Sequence, residues 1–170
     1  MHHVFDVWAD SWRRDARGSV IVVRFADDFV VGFQDKEHAE SFLADLRTRL
    51  AAYRLELHPE KTRLIEFGRF ARANRRRRGE GKPEVLDFLG FMHTCGVTRT
   101  GWFKRLRQTQ RERLRRSLAR VTAEIEARRH WPVDVAGKWL GQVLRGHLQY
   151  DSVPSNGPAL LGYRNALLSC

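Results

Sequence analysis

Residues 23–30 read Val23-Arg24-Phe25-Ala26-Asp27-Asp28-Phe29-Val30. Two carboxylates stand side by side where apolar, β-rich sequence closes in from both directions. Ser19 to Phe25 is a β-branched run and Phe29 to Phe33 is another, with only Ala26, Asp27 and Asp28 between them. Two such runs across so short a gap make a hairpin. A hairpin tip normally takes Asn-Gly or Asp-Gly, so paired aspartates need a reason beyond the turn itself. Like charges this close repel unless a cation offsets them. A hard divalent ion, Mg²⁺, takes carboxylate oxygens and leaves positions for water and phosphate. Two such ions can clamp the attacking and leaving oxygens of a phosphoryl transfer. The plain alternative is an exposed polar turn, where Asp is common. The apolar flanks favour the chemical reading.

Upstream of the pair, residues 3–13 predict a short amphipathic helix with Val4, Phe5, Trp8 and Trp12 on one side, followed by turn chemistry at Asp15 to Gly18. Downstream, Asp35 is a fair N-cap. Ala39, Phe42, Leu43, Leu46, Leu50 and Tyr53 then recur at helical spacing over 36–53. Leu55, Leu57 and Thr62 to Phe67 read as short strands around the turn His58-Pro59-Glu60-Lys61. Strand, strand, helix and strand make an α+β domain.

Residues 68–84 read as a basic, Gly-containing loop and a boundary. Leu86 to Cys95 is a second hairpin-like apolar stretch. From about 103 to 129 the sequence predicts an Arg-rich helix with Leu106, Leu114, Leu118, Val121 and Ile125 along one stripe. Pro132 interrupts it, and further helices are expected over 133–148 and 157–168.

The net charge of +11 is unevenly placed. Residues 1–68 hold 10 Lys/Arg against 12 Asp/Glu, residues 69–130 hold 18 against 6, and residues 131–170 hold 3 against 2. A basic excess confined to one segment points to a polyanionic partner, nucleic acid first; a solvated helix face is the bland reading. The two cysteines, Cys95 and Cys170, have no metal or disulfide spacing, which suits a reducing cytoplasm. His58 and His93 likewise sit in no metal spacing and read as structural. The chain has neither an apolar run long enough to span a membrane nor the pattern of a signal peptide.

Taken in order, these motifs resemble those of the reverse transcriptases of group II introns, the intron-encoded maturases. Phe25-Ala26-Asp27-Asp28 is similar to the Tyr-x-Asp-Asp box, with Phe25 in the Tyr place. The helix over 36–53 and Leu55 to Thr62 resemble the next palm motif, and Phe88-Leu89-Gly90-Phe91 the primer-grip hairpin. The helical tail, with Gly146-His147-Leu148-Gln149-Tyr150 and Val153-Pro154, resembles the thumb or maturase X region.

The resemblance implies a partial polymerase palm over 1–98, including the basic loop 68–84 and the hairpin 86–95. An all-helical thumb-like domain would follow over 99–170. It implies Mg²⁺-dependent, RNA-directed DNA synthesis, with Asp27 the principal metal ligand, Asp28 a secondary one and Lys61 a proton donor to the leaving pyrophosphate. Phe88 to Phe91 would hold the DNA primer's end. Arg69, Arg72, Arg75, Arg76, Arg77, Arg78, Lys82, Arg105, Arg107, Arg111 and Arg115 would contact RNA phosphates, with Phe70, Trp102 and Phe103 nearby.

The family's earlier aspartate strand, fingers and nucleotide-binding loop have no counterpart in the sequence. Asp6 and Asp10 fall on a helix and do not imitate that strand. The chain is therefore expected to start in mid-palm, to stop before any DNA-binding or endonuclease region, to be inactive alone and to need an N-terminal palm/fingers polypeptide. The alternatives are a non-catalytic RNA-binding maturase fragment and a relic of a degraded mobile element.

Overall fold

The computed structural model of the chain describes residues 2–169. It contains two compact units, Met1–Ile65 and Glu66–Cys170. In the first, a π-helical turn at His2–Asp6 runs into α1 (Val7–Asp15), the helix expected over 3–13 with a longer C-terminal end. β1 (Ile21–Phe25) pairs antiparallel with β2 (Asp28–Gly32), in register from Ile21↔Gly32 to Phe25↔Asp28. α2 (Lys36–Ala52) follows.

An aromatic core joins these elements. Phe5, Ala9, Phe42, Leu46 and Leu50 are buried together, with Trp8, Trp12, Val22, Phe29, Val31 and Phe33 packed around them. Phe42 is central: its ring lies 5.1 Å from Trp8, 5.0 Å from Trp12 and 5.2 Å from Phe33. Phe5 meets Phe29 at 4.4 Å. One face of the hairpin is thus seated on the two helices. Trp12 Nε1 also donates to Asp45 at 2.9 Å, tying α1 to α2.

The second unit opens with α3 (Ala71–Arg77) and continues into a three-stranded antiparallel sheet of β3 (Leu86–Phe88), β4 (Phe91–Val97) and β5 (Phe103–Thr109). Three helices complete it: α4 (Arg111–Ala127), α5 (Val133–Asp151) and α6 (Gly157–Leu168). Val121, Tyr163 and Leu167 form their core, with Leu114, Leu118, Ile125, Trp139, Leu140, Val143 and Leu144 around it. The chain is mixed α+β with a helical C-terminal part.

Three expectations are corrected. Leu55, Leu57 and Thr62 to Phe67 form no strands, although His58 to Lys61 does turn, with the Thr62 amide donating to the His58 carbonyl at 2.9 Å. A strand exists only through a ladder, and the first unit's sheet has only β1 and β2, paired with each other. The loop over 68–84 contains α3. The helix expected from 103 begins at Arg111, because Phe103–Thr109 pairs with β4 at seven positions. There the ladder with β4 prevails over the helical stripe, although burial along the strand does not alternate. Leu106 therefore leaves that stripe, and the hairpin β3–β4 belongs to the second unit.

A buried polar knot ties the end of β5 to α5 and α6. The Thr109 amide donates to Asn156 Oδ1 at 2.9 Å, and Thr109 Oγ1 donates to Asp151 Oδ1 at 3.0 Å. Asn156 Nδ2 donates to Thr109 Oγ1 and to the Asp151 carbonyl, both at 2.8 Å. His147 Nδ1 lies 3.2 Å from Asp151 Oδ2, and its ring stacks on Tyr163 at 3.7 Å.

Two expected outcomes follow from this packing. Phe42→Ala should cost about 3–5 kcal/mol of stability, read from the urea midpoint of the first unit's transition, since it empties the centre of the aromatic cluster. Burial, more than the charge of Arg113, pushes the His147 imidazole below its ordinary 6.5, against the pull of Asp151. The folded form then favours neutral His147, so this contribution is complete above pH 6.5 and is lost as pH falls below it. Urea midpoints should drop between pH 7 and pH 5.5, and His147→Gln should reduce that drop.

Candidate functional site

The β1–β2 hairpin closes through a two-residue loop. Phe25 and Asp28 are the last paired residues, leaving Ala26 and Asp27 in the turn. Asp28 is therefore the first residue of β2 rather than part of the loop. Ala26 takes a left-handed φ of 52°, a conformation that costs a residue with a Cβ about 1 kcal/mol. Both aspartate side chains are exposed. The hairpin sits on the aromatic core through Val22, Phe29 and Val31, so a rigid base carries the tip.

Arg24 buttresses this tip. Its Nε and Nη2 donate to the two Asp6 oxygens at 2.5 and 2.7 Å, while Nη1 donates to the Ala26 carbonyl at 2.5 Å. One planar guanidinium therefore joins the helical N-terminus to the turn that holds Asp27. Hydrogen bonding to Asp6, then the charges of Asp6 and Asp27, hold its proton more tightly than usual despite partial desolvation. No motif in the sequence pairs Arg24 with Asp6. The signal was present: an Arg and an Asp each set among apolar neighbours, in Val23-Arg24-Phe25 and Phe5-Asp6-Val7, call for a partner.

Lys61 lies in the turn after α2 and makes no ion pair with Asp27 or Asp28. Among the described residues, no group of three or more His, Cys, Asp or Glu is placed to hold a metal. Asp27 and Asp28 are donors of the hardness Mg²⁺ takes. Two carboxylates leave most of its octahedral positions to water and phosphate oxygens.

Phe88 to Phe91 form the β3–β4 turn, with Leu89 and Gly90 both left-handed, at φ 51° and 79°. A bulky Leu there is strained and is held from outside. Tyr150 Oη donates to the Leu89 carbonyl at 3.3 Å, the Gln110 amide donates to the Gly90 carbonyl at 3.1 Å, and the Phe91 ring stacks on Tyr150 at 5.9 Å.

The expected RNA-contacting residues divide into two sets. Arg78 is held by Glu80 at 2.5 Å and Glu66 at 2.6 Å, and Arg75 lies 3.5 Å from Glu80 and 3.7 Å from Glu84. Hydrogen bonds from Arg78 keep both Glu66 and Glu80 below the usual carboxylate range. Arg72, Arg76, Arg77 and Lys82 are exposed, and Arg69 lies over Phe70 at 4.5 Å. Arg105 and Arg107 are on β5, and Arg111 and Arg115 on one flank of α4. Trp102 is 76% exposed at the β4–β5 turn. His93 is pushed below its ordinary value by burial first, then by Arg105 and Arg107. Cys95 Sγ accepts from the Gly68 amide, a structural role.

Arg24→Gln should loosen the tip without unfolding the hairpin. Amide exchange at Ala26 to Asp28 should rise several-fold while that of α2 stays unchanged, as measured by hydrogen–deuterium exchange. Unchanged exchange at the tip would show that the turn holds itself.

No curated protein and no solved structure gives a significant match to the chain. No helix among the described residues is long and apolar enough to cross a membrane. The family model described as reverse transcriptase (RNA-dependent DNA polymerase) matches residues 1–93, more than half of the chain and including Asp27, Asp28 and the β3–β4 turn. The chain belongs to the reverse transcriptase family.

Proposed function

We propose that this chain is the C-terminal palm and thumb part of a group II intron reverse transcriptase, a maturase that binds intron RNA. In family terms, residues 1–98 are palm and residues 99–170 thumb or X region. The observation that carries the reading is the exposed aspartate pair at a braced two-residue hairpin turn, inside the span the family model matches. Asp27 and Asp28 would hold Mg²⁺, which when bound would offset charge on the reacting phosphates. Lys61 would protonate the leaving pyrophosphate. The Phe88 to Phe91 turn would support the primer's end, its backbone fixed by Tyr150 and Gln110.

Two carboxylates do not complete a two-metal site. The chain alone should therefore extend no primer on an RNA template with Mg²⁺ and deoxynucleotides. Extension that Asp27→Ala abolishes would overturn this, and would mean that the two aspartates suffice. A non-catalytic RNA-binding role is the second reading, favoured by the exposed basic residues of the 69–82 segment. It predicts RNA binding that Asp27→Ala leaves intact.

Binding should run through phosphate neutralisation and counterion release. With about five contacts, log affinity should fall with log salt at a slope of roughly −3.5 to −4.5. Because Arg75 and Arg78 are engaged by Glu66, Glu80 and Glu84, Arg72, Arg76 and Arg77 are, with Lys82, the available cations, and the three arginines are the ones to replace. Their replacement by Ala should flatten the slope by about 2 to 3, with little change in sequence preference. An unchanged slope would remove this segment from the interface.

A further inference from the structure

Along the chain, the carboxylate nearest to Arg24 is Asp27, three residues on. The charge of Asp27 acts on the guanidinium, so the two groups are within electrostatic reach. Even so, no ion pair among the described residues includes Asp27 or Asp28. Arg24 is turned instead toward Asp6, 18 residues away, which accepts from its Nε at 2.5 Å and its Nη2 at 2.7 Å. Two parallel bonds of this kind are the strongest contact that a guanidinium makes with a carboxylate.

Asp6 is well anchored for that contact. Phe5 beside it is 0% exposed and meets Phe29 at 4.4 Å, and Ala9, three residues on, is buried in the same core. Arg24 shares the packed face of β1 with Val22, because residues two apart on a strand point the same way. Ile21, Val23 and Phe25 hold the opposite, exposed face. With Nη1 on the Ala26 carbonyl, Arg24 uses three of its five N–H groups and keeps two for any other acid in reach. Its charge is permanent, so without Asp6 a partly buried cation would need another partner. Asp10, the next acid on the helix, is already held by Arg13 and Arg14. Asp27 is the acid left to take it.

We infer that Asp6 is a positioning residue for the aspartate pair: its carboxylate keeps the Arg24 guanidinium off Asp27, so that Asp27 stays open to a divalent cation. Asp6 touches no reacting atom and acts only through Arg24. Its loss closes the tip with an internal ion pair rather than only loosening it. The inference deepens the reading of Asp27 and Asp28 as Mg²⁺ ligands and rests on it for its consequence.

The test uses the full chain, labelled with ¹⁵N, and Mn²⁺ alone as the probe. Mn²⁺ takes the same hard oxygen ligands as Mg²⁺ and broadens resonances near it. Asp6→Asn keeps the shape and removes the charge, and Asp6→Ser is a second, shorter variant. Unchanged amide exchange in α2 shows which of them retains the fold. We expect either change to raise the Mn²⁺ concentration that half-broadens the Asp27 and Asp28 amides about three- to fivefold, the size of an exposed ion pair that must first be broken. A nuclear Overhauser contact between the Arg24 guanidinium and Asp27 should appear at the same time. Asp6→Glu, which keeps the acid, should bind Mn²⁺ like the parent. Where Arg24→Gln is already in place, adding Asp6→Asn should change the Mn²⁺ midpoint by less than about 1.5-fold at about 0.15 M salt, because the remaining effect of one charge is screened.

A simple brace predicts otherwise. Asp6→Asn would then weaken Mn²⁺ binding no more than Arg24→Gln does, and no contact between Arg24 and Asp27 would form; that result overturns the inference. So does an effect of Asp6→Asn that persists in full when Arg24→Gln is present, since Asp6 would then act by its own charge. If Mn²⁺ broadens neither aspartate in the parent, the Mg²⁺ reading fails, and the contact formed or not formed in Asp6→Asn decides by itself whether Asp6 withholds the arginine.

Discussion

Asp151 is a carboxyl group out of reach of water, and three elements of the second unit meet in satisfying it. A charge buried without partners costs several kcal/mol, so the groups that reach it are fixed as a set. Thr109 supplies a hydroxyl from the end of β5, His147 a ring nitrogen from the preceding turn of α5, and Asn156 clasps both Thr109 and the Asp151 carbonyl from the start of α6. On the same helix Tyr150 stacks against Phe91, lies under Arg113 and donates to the Leu89 carbonyl, and so supports the strained Leu89-Gly90 turn. The helix that carries the buried Asp151 therefore also braces the β3–β4 turn.

The hairpin of the first unit solves a different problem, the exposure of two adjacent like charges on a short loop. Its base is apolar and packed on Phe5 and Phe42, and its tip is braced by one arginine. Arg24 does not neutralise the aspartates by contact. It spends its hydrogen bonds on Asp6 and on the turn's backbone, leaving both Asp27 and Asp28 open to a cation. If the pair holds an ion as proposed, such support holds the ligand positions before the ion arrives.

Charge in the basic segment is likewise divided. Exposed ion pairs contribute little to stability, so the contacts of Arg75 and Arg78 with Glu66, Glu80 and Glu84 chiefly fix the shape of the loop around α3. Arg72, Arg76 and Arg77 are left outward. A composition count treats all these arginines alike. The fold distinguishes the ones that build the surface from the ones that present charge on it.

The sequence by itself determined the aspartate hairpin, the helix over 36–53, the hairpin at 86–95, the last two helices, and the part of the preceding helix that follows residue 110. Each was legible because a local rule decides it: β-branched runs across a tight gap, apolar residues at helical spacing, a proline that breaks a helix. It also determined the basic bias of residues 69–130 and the order of motifs that marks the family. Only the tertiary structure decided what needed a partner distant in sequence. Phe103 to Thr109 became a strand because it pairs with β4, and Thr62 to Phe67 did not because it pairs with neither sheet. The Arg24–Asp6 brace spans 18 residues and the Thr109–Asn156 clasp 47. Apolar neighbours mark Arg24 and Asp6 as groups that need a partner, but which partner each meets is set only when folding brings them together.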